Sequence, residues 1–156
     1  MVQQGQYGGF WIRLLAFMTD VAVLFVATLI ILFVGALFGN TGVRIGGVAA
    51  LVLQALYWPL LHASQRQASY GKAMLGLKVT DLEGNRISTM RSFGRALAWI
   101  VSAVPLLLGF VMAAFTERKQ ALHDYIASTC VVRDGPAHIA GAITVTVVGI
   151  VGPMIA

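Results

Sequence analysis

The sequence predicts an all-α membrane protein, a helical bundle of about four hydrophobic segments with a small cytoplasmic β element. The composition is one reason, because 58% of the residues are hydrophobic and only 11% are charged, whereas globular chains carry about 25% charged residues. The second reason is length, because four apolar stretches approach the roughly 17–25 residues with which a helix crosses a bilayer. They are Val21–Phe38, Ile45–Ala63, Phe93–Phe115 and Ile139–Ile155.

These stretches also predict how the chain is divided. Residues 1–9 are polar and Gly-rich and predict a short flexible tail. Residues 10–133 predict one membrane domain, with spans at about 10–38, 45–63 and 93–115 and a loop at 64–92, and residues 134–156 add a C-terminal hydrophobic span. The turn signal Asn40-Thr41-Gly42 predicts that the first two spans form a hairpin. The N-terminus lacks the basic region of a signal peptide, so we expect the first span to be retained.

The distribution of charge predicts the orientation. The segment between the second and third apolar stretches is rich in basic residues, namely Arg66, Lys72, Lys78, Arg86 and Arg91, and its acidic residues are Asp81 and Glu83. Because cytoplasmic loops collect Lys and Arg, this loop and the N-terminus are expected on the cytoplasmic side. Topology therefore explains the net charge of +5 better than nucleic acid does, and no nucleic-acid partner is expected. A weaker alternative is a basic surface for anionic lipids.

A small β element is predicted in the same region. Leu75–Thr80 alternates weakly like a strand, Asp81–Asn85 is a turn, and Arg86–Ser88 could begin a return strand. Ser128–Val132 is also β-prone and could pair with Leu77–Thr80 instead.

The third apolar stretch has two interpretations. Its length favours a simple span, which would place Thr116–Arg133 outside the cell. Pro105 and Gly109 interrupt its middle, and such residues can break a span into two half-helices. A re-entrant pair would keep Thr116–Arg133 beside the cytoplasmic loop. The basic residues of Thr116–Arg133 and its potential strand favour this second interpretation.

Arg13 and Asp20 are charges inside otherwise apolar sequence. Such charges cost several kcal/mol or more unless they are paired or wetted. On a helix the two residues share a face, roughly 10 Å apart along the axis. Because helical side chains lean toward the N-terminus, Asp20 points toward Arg13 while Arg13 points away. We therefore expect each charge to find a different partner.

Gln54, Trp58 and His62 follow one another at four-residue spacing and predict a polar stripe on the second helix. Polar groups on one face of a spanning helix tend to look inward. Trp58 and His62 fit equally well at the membrane interface, where Pro59 would kink the helix. Gln54 lies nearer mid-span, which favours an inward-facing hydrogen bond between helices.

Four blocks of sequence occur in a distinctive order. They are Gly-Phe-Trp-Ile-Arg-Leu-Leu-Ala-Phe-x-x-Asp ending at Asp20, Gly-Lys-x-x-Leu-Gly-Leu-Lys-Val-x-Asp ending at Asp81, Phe-Gly-Arg-Ala-Leu starting at Phe93, and Arg-Lys-Gln-Ala-Leu-His-Asp-x-x-Ala-x-Thr-x-Val-Val starting at Arg118. From Gly9 to Arg133 the chain resembles the RDD family of membrane proteins, named for one arginine and two aspartates.

The resemblance implies that Arg13, Asp20 and Asp124 form a charge network, and it implies a bacterial inner-membrane location. Where many relatives carry Thr-Pro-Gly-Lys, this chain has Ser69-Tyr70-Gly71-Lys72, which puts the rigidity of that turn in doubt. The family has no settled biochemical activity, although transport has been suggested for it.

Catalysis is not expected, because metal-binding, nucleophile-elbow and phosphate-loop motifs are missing. The three histidines are far apart in sequence and Cys130 is the single cysteine, so we predict no catalytic residues, metal or cofactor. Two functions stay open. Arg13, Asp20 and Asp124 could move an ion or small solute, or they could clamp the β element onto the bundle of a non-catalytic scaffold or assembly factor. The expected partners are the lipid bilayer and either a homo-oligomer or other membrane proteins.

Overall fold

The computed structural model describes residues 7–103 and 108–155. Two long helices, α1 (Phe10–Ala36) and α2 (Gly39–Ala63), pack side by side as a hairpin. Each is long and apolar enough to cross a membrane. Within the described ranges no other helix meets the same criterion, so the prediction of about four such segments is met by two. The fourth apolar stretch forms a shorter apolar helix, α7 (Ile139–Ile155).

The turn of the hairpin is tighter than the sequence predicted. α1 ends at Ala36 rather than near Phe38, and Asn40-Thr41-Gly42 lies in the first turn of α2 rather than in a loop. Gly39 has a φ of 70°, the left-handed region that glycine adopts without penalty. A Cβ atom on Gly42 would collide with the carbonyl oxygen of Gly35. Gly39 therefore allows the sharp turn, and Gly42 allows the two helices to meet closely at this end.

The third apolar stretch is divided between two short helices, α4 (Thr89–Ala103) and α5 (Leu108–Phe115). Pro105, which was predicted to break this stretch, lies outside the described residues. With 15 and 8 residues, both helices are shorter than the roughly 17 residues that a span requires. They pack on one another, since a Cβ atom on Gly109 would lie 2.8 Å from the carbonyl oxygen of Ser102.

The β element is a two-stranded antiparallel sheet formed by β1 (Leu77–Asp81) and β2 (Thr129–Arg133). Leu77 lies opposite Arg133 and Asp81 lies opposite Thr129. The predicted return strand at residues 86–88 is reduced to a single bridge between Thr80 and Arg86. The short helices α3 (Tyr70–Met74) and α6 (Leu122–Ile126) lie directly before β1 and β2.

Part of the predicted tail is held by the sheet. Tyr7 forms a bridge with Val132, and the Gly8 N–H donates to the carbonyl oxygen of Val131 at 2.8 Å. Residues 1–6 lie outside the described part of the chain. The contacts of Tyr7 and Gly8 bring the start of α1, and with it Arg13, to the sheet.

The main apolar core lies where the sheet meets the helices. It joins side chains of both strands to one residue from each of α1 and α7, and its buried members are Ala16, Leu75, Leu77, Val79, Ile87, Val131 and Ala142. The polar groups described next surround this core on α1, α2, α3, α4 and α6.

Candidate functional site

Asp124 is the centre of a buried ionic cluster at the start of α6. Its carboxylate is fully buried and accepts hydrogen bonds on both oxygens. Arg95 on α4 donates to Oδ1 from Nε at 2.8 Å and from Nη2 at 2.5 Å. Arg13 on α1 donates to Oδ2 from Nη1, and the Ala121 N–H donates to the same oxygen at 3.1 Å. One carboxylate thus joins three helices that are distant in sequence.

The charges around Asp124 keep it ionised. Burial alone would raise the pKa of Asp124, but the Arg95 and Arg13 guanidinium groups outweigh burial and hold it well below its usual range. His123, next to it on α6, is also buried, and burial lowers the pKa of its imidazole to about 3. Near neutral pH this part of the site contains a carboxylate, two guanidinium groups and a neutral imidazole.

A chain of polar contacts extends from Arg95 toward α3. Nη1 of Arg95 lies 3.2 Å from Nδ1 of His62, and Nε2 of His62 lies 3.2 Å from Nζ of Lys72. Lys72 is on α3 and is 9% exposed. We refer to this set as the Asp124 cluster; its members are Arg13, His62, Lys72, Arg95, His123 and Asp124.

Two buried nitrogens of the Asp124 cluster, Nη2 of Arg13 and Nδ1 of His123, have no hydrogen-bond partner among the described residues. Arg13 is otherwise well held, because its Nε donates to the carbonyl oxygen of Gly8 at 2.7 Å. The cluster contains more cationic than anionic groups, and the negative charge of Asp20, outside the cluster, also acts on Lys72 and raises its pKa.

Asp20 occupies a second buried position, which we call the Asp20 pocket and which consists of Asp20, Tyr57, Ser69 and Gly71. The carboxylate is fully buried. The Tyr57 hydroxyl on α2 donates to Oδ1 at 2.8 Å, and the Gly71 N–H donates to the same oxygen at 2.7 Å. The Ser69 hydroxyl donates to Oδ2 at 2.5 Å. Within the described residues, all the direct donors to Asp20 are neutral.

Hydrogen bonds fix the turn before α3, whose rigidity the sequence left open. The N–H of Tyr70 donates to the Tyr57 hydroxyl at 3.2 Å, a bond that a proline at this position could not form. Gly71 follows, and a Cβ atom there would collide with the carbonyl oxygen of Ala16. The turn is therefore fixed by α1 and α2.

The structure separates the predicted charge network into two sites. Arg13 contacts Asp124, while Asp20 is bonded to Tyr57, Ser69 and Gly71. Arg13 and Asp20 have different partners, as helix geometry predicted. Lys72 connects the Asp124 cluster to the Asp20 pocket, because it directly follows Gly71, whose N–H donates to Asp20, and its Nζ contacts the imidazole of His62.

The predicted stripe on α2 is inward only in part. His62 is buried in the Asp124 cluster, and Trp58 stacks on Phe17 of α1 with the ring centroids 6.1 Å apart. Gln54 forms the predicted hydrogen bond between helices, because its amide donates to the Thr28 hydroxyl of α1 at 3.2 Å, but its side chain is exposed.

Sequence reasoning missed Arg95, Lys72, Tyr57 and Ser69 as members of these sites. Arg95 lies at the start of an apolar stretch, where an arginine usually marks the membrane interface, and Lys72 was predicted only as one charge of a basic loop. A signal was present for Lys72, because it follows the Ser-Tyr-Gly block within a recognisable motif. For Tyr57 the sequence offers no comparable signal.

The residues that the structure describes contain no group of three His, Cys, Asp or Glu side chains that could hold a metal ion.

Comparison with known families matches the RDD family over residues 7–128. The chain belongs to the RDD family. The match confirms the resemblance carried by the four sequence blocks.

Several relatives come from Bacillus subtilis (strain 168). The uncharacterized protein YxaI is 39% identical over 145 residues, which cover 80% of this chain and 95% of YxaI. The uncharacterized membrane protein YteJ is 30% identical, with 82% of each chain covered, and the uncharacterized protein YckC is 30% identical over 79% of this chain and 82% of its own. No solved structure matches significantly. The family, the name of YteJ and the two apolar helices together indicate a membrane location.

Proposed function

We propose that this RDD protein is a non-catalytic, multi-pass scaffold of the bacterial inner membrane, in which two buried carboxylates clamp a cytoplasmic β unit onto a helical hairpin. The observation that carries the proposal is the complete use of both carboxylates by protein groups. Asp20 joins α1 to α2 and to the turn before α3. Asp124 joins α6 to α1 and α4. Each of the four carboxylate oxygens is buried and accepts at least one hydrogen bond from the protein, so both groups fix the positions of the elements that they join.

The same contacts support a topology. β1 precedes α4 and α5, and β2 follows them, yet the two strands pair. Both strands therefore lie on one side of the membrane, and α4 and α5 enter and leave on that side. The basic loop 64–92 lies with β1, so the positive-inside rule assigns this side, and the N-terminus, to the cytoplasm.

Single cysteines test this topology in a Cys130→Ser background. Arg86→Cys and Arg118→Cys are exposed positions on the sheet side, and Arg44→Cys is an exposed position near the hairpin turn. In intact cells a membrane-impermeant maleimide should label Arg44→Cys, and it should label the other two only after the cells are opened. Labelling of Arg118→Cys in intact cells would overturn the re-entrant arrangement.

Ion or small-solute transport is the second candidate, favoured by one observation. The Asp124 cluster places the buried Arg95 and Lys72 and the partly buried Arg13 near a single carboxylate, and ionisable residues within a membrane protein often mark ion and proton pathways. On this hypothesis Asp20 exchanges a proton or cation and the cationic groups rearrange.

Reconstitution separates the two functions. Purified protein in liposomes is assayed for proton movement driven by Na⁺ or K⁺ gradients, with Asp20→Asn as the test variant and the exposed Asp134→Asn as its matched control. A scaffold should show no flux above empty liposomes, and Asp124→Asn should lower its thermal unfolding midpoint. Flux in the wild type that Asp20→Asn abolishes, with an unfolding midpoint close to that of Asp134→Asn, would overturn the scaffold proposal.

A further inference from the structure

His62 is held between two side chains that normally only donate hydrogen bonds. Nδ1 of its ring lies 3.2 Å from Nη1 of Arg95, and Nε2 lies 3.2 Å from Nζ of Lys72. All three side chains are buried. Each ring nitrogen therefore needs a definite role, because a buried donor that faces another donor costs free energy.

The hydrogens and lone pairs of these three side chains leave one consistent arrangement of donors and acceptors. A guanidinium group only donates, so Nδ1 of His62 must accept from Arg95. A neutral imidazole carries one N–H, which must then be on Nε2 and point at Nζ of Lys72. A lysine ammonium group has no lone pair with which to accept that hydrogen. The contact is a hydrogen bond only when Lys72 is a neutral amine.

We infer that Lys72 is a proton-binding site and that the tautomer of His62 transmits its occupancy to Arg95 and Asp124. When Nζ of Lys72 takes up a proton from water, it becomes a donor and requires Nε2 of His62 as its acceptor. The single imidazole hydrogen then moves to Nδ1, where it faces Nη1 of Arg95. Arg95 loses one acceptor while it retains its bonds to Asp124.

The surroundings of Lys72 suit such an exchange. The ionisable groups near it come from four helices and are Asp20 and Arg13 on α1, His62 on α2, Arg95 on α4, and Asp124 and His123 on α6. α7 carries no charged side chain, and Lys78 on β1 is paired with Asp134. Burial and the Arg95 guanidinium lower the pKa of Lys72 to about 8, while Asp20 acts in the opposite direction. Lys72 as a whole residue is 9% exposed, so its side chain lies close to the protein surface.

This inference goes beyond the scaffold proposal and holds whether or not the protein moves ions. It concerns which atom binds a proton and what that proton changes within the fold.

Nuclear magnetic resonance of ¹⁵N-histidine-labelled full-length protein in detergent tests it directly. The His62 signals are assigned by their loss in His62→Gln, and the tautomer is followed from about pH 6.5 to about pH 9.5, a range that brackets the lowered lysine pKa. We expect the N–H to be on Nδ1 at the low end and on Nε2 at the high end. A single tautomer throughout the range in the wild type would overturn the inference.

Three variants sharpen the result. Lys72→Met, which binds no proton, should keep the hydrogen on Nε2 at every pH. Lys72→Arg, a permanent cation, should keep it on Nδ1. Lys78→Met removes a lysine of β1 outside the cluster and should leave the wild-type switch unchanged. Persistence of the switch in Lys72→Met would contradict the assignment to Lys72.

The thermal unfolding midpoint of the wild type, compared with that of Lys72→Met, gives a second measurement. The pKa of Lys72 is about 8 in the folded protein, below the ordinary value of 10.5. Between these values the unfolded chain binds more protons, so stability should rise with pH. The midpoint of Lys78→Met should rise in parallel with that of the wild type. A wild-type midpoint that falls steadily across this window relative to Lys72→Met would contradict a neutral amine in the folded state.

Absence of proton flux in liposomes together with a pH-dependent His62 tautomer would exclude transport and support the proton site. Flux together with a fixed tautomer would exclude the proton site alone.

Discussion

The Asp20 pocket and the Asp124 cluster each hold a buried carboxylate, but they do so with different hydrogen-bond donors. Both carboxylates are fully buried. The direct donors to Asp20 are two hydroxyl groups and one backbone N–H, whereas Asp124 is bonded mainly by two guanidinium groups. A hydroxyl can rotate and accept a hydrogen bond, but a guanidinium group cannot. The first site should therefore tolerate a neutral amide and the second should not.

Replacement of Asp124 by asparagine gives the largest expected effect. The amide nitrogen would face a guanidinium group, and the buried Arg95 and partly buried Arg13 would lose their counter-charge. Breaking a buried ion pair by removal of one partner costs about 3–5 kcal/mol. Chemical denaturation in detergent should show a loss of this order for Asp124→Asn.

The matched control for this variant is Asp134→Asn, which removes an exposed carboxylate paired with Lys78. Exposed pairs contribute about 0–1 kcal/mol. Equal losses for the two variants would contradict the view that Arg13 and Arg95 depend on Asp124.

Gly71→Ala should give an intermediate loss, because the new methyl group would strike the Ala16 carbonyl oxygen and displace the turn from Asp20. Overpacking of this kind costs about 1–3 kcal/mol. Gly47→Ala is the control, since a Cβ atom there meets nothing within 4 Å. The difference between the two unfolding free energies measures the close approach of α1 and α3, and a difference near zero would show that the turn can shift freely.

Asp20→Asn should give the smallest loss of the three. Its amide oxygen can keep the bonds from Tyr57 and Gly71, and its amide nitrogen can donate to Ser69, whose hydroxyl turns into an acceptor. The cost should be about 1 kcal/mol, the order of one hydrogen bond. A loss for Asp20→Asn as large as for Asp124→Asn would remove the distinction between the two sites.

Much of the architecture could be predicted from the sequence, and so could Asp20 and Asp124, the carboxylates at the centres of the two sites. Helix periodicity correctly indicated that Arg13 and Asp20 would seek separate partners, and β propensity identified Ser128–Val132 as a candidate partner for β1. The prediction of about four spans is not confirmed, because length and hydrophobicity do not reveal which stretches form shorter helices that pack on one another. α4 and α5 pack on one another within a stretch whose composition also suits a single helix.

Arg95 shows why the rest of the site could not be predicted. An arginine at the start of an apolar stretch usually marks the membrane interface, and only the approach of α6 to α4 brings it to Asp124. The position of Arg95 also limits the choice of experiment. A charge swap between Arg13 and Asp124 would be the natural test from sequence, but the new guanidinium group would lie against Arg95 and could not restore the pair.

The separation of Arg13 from its carboxylate along the chain has a consequence for biogenesis. Arg13 lies 111 residues before Asp124, and Asp20 lies 49 residues before Ser69. During synthesis the Asp20 contacts can close as soon as the second long helix and the turn after it have emerged. The carboxylate partner of Arg13, Asp124, is synthesised only after most of the polypeptide has been made. A nascent chain that stops before Asp124 therefore carries the Arg13 cation without its counter-charge near the start of its first helix.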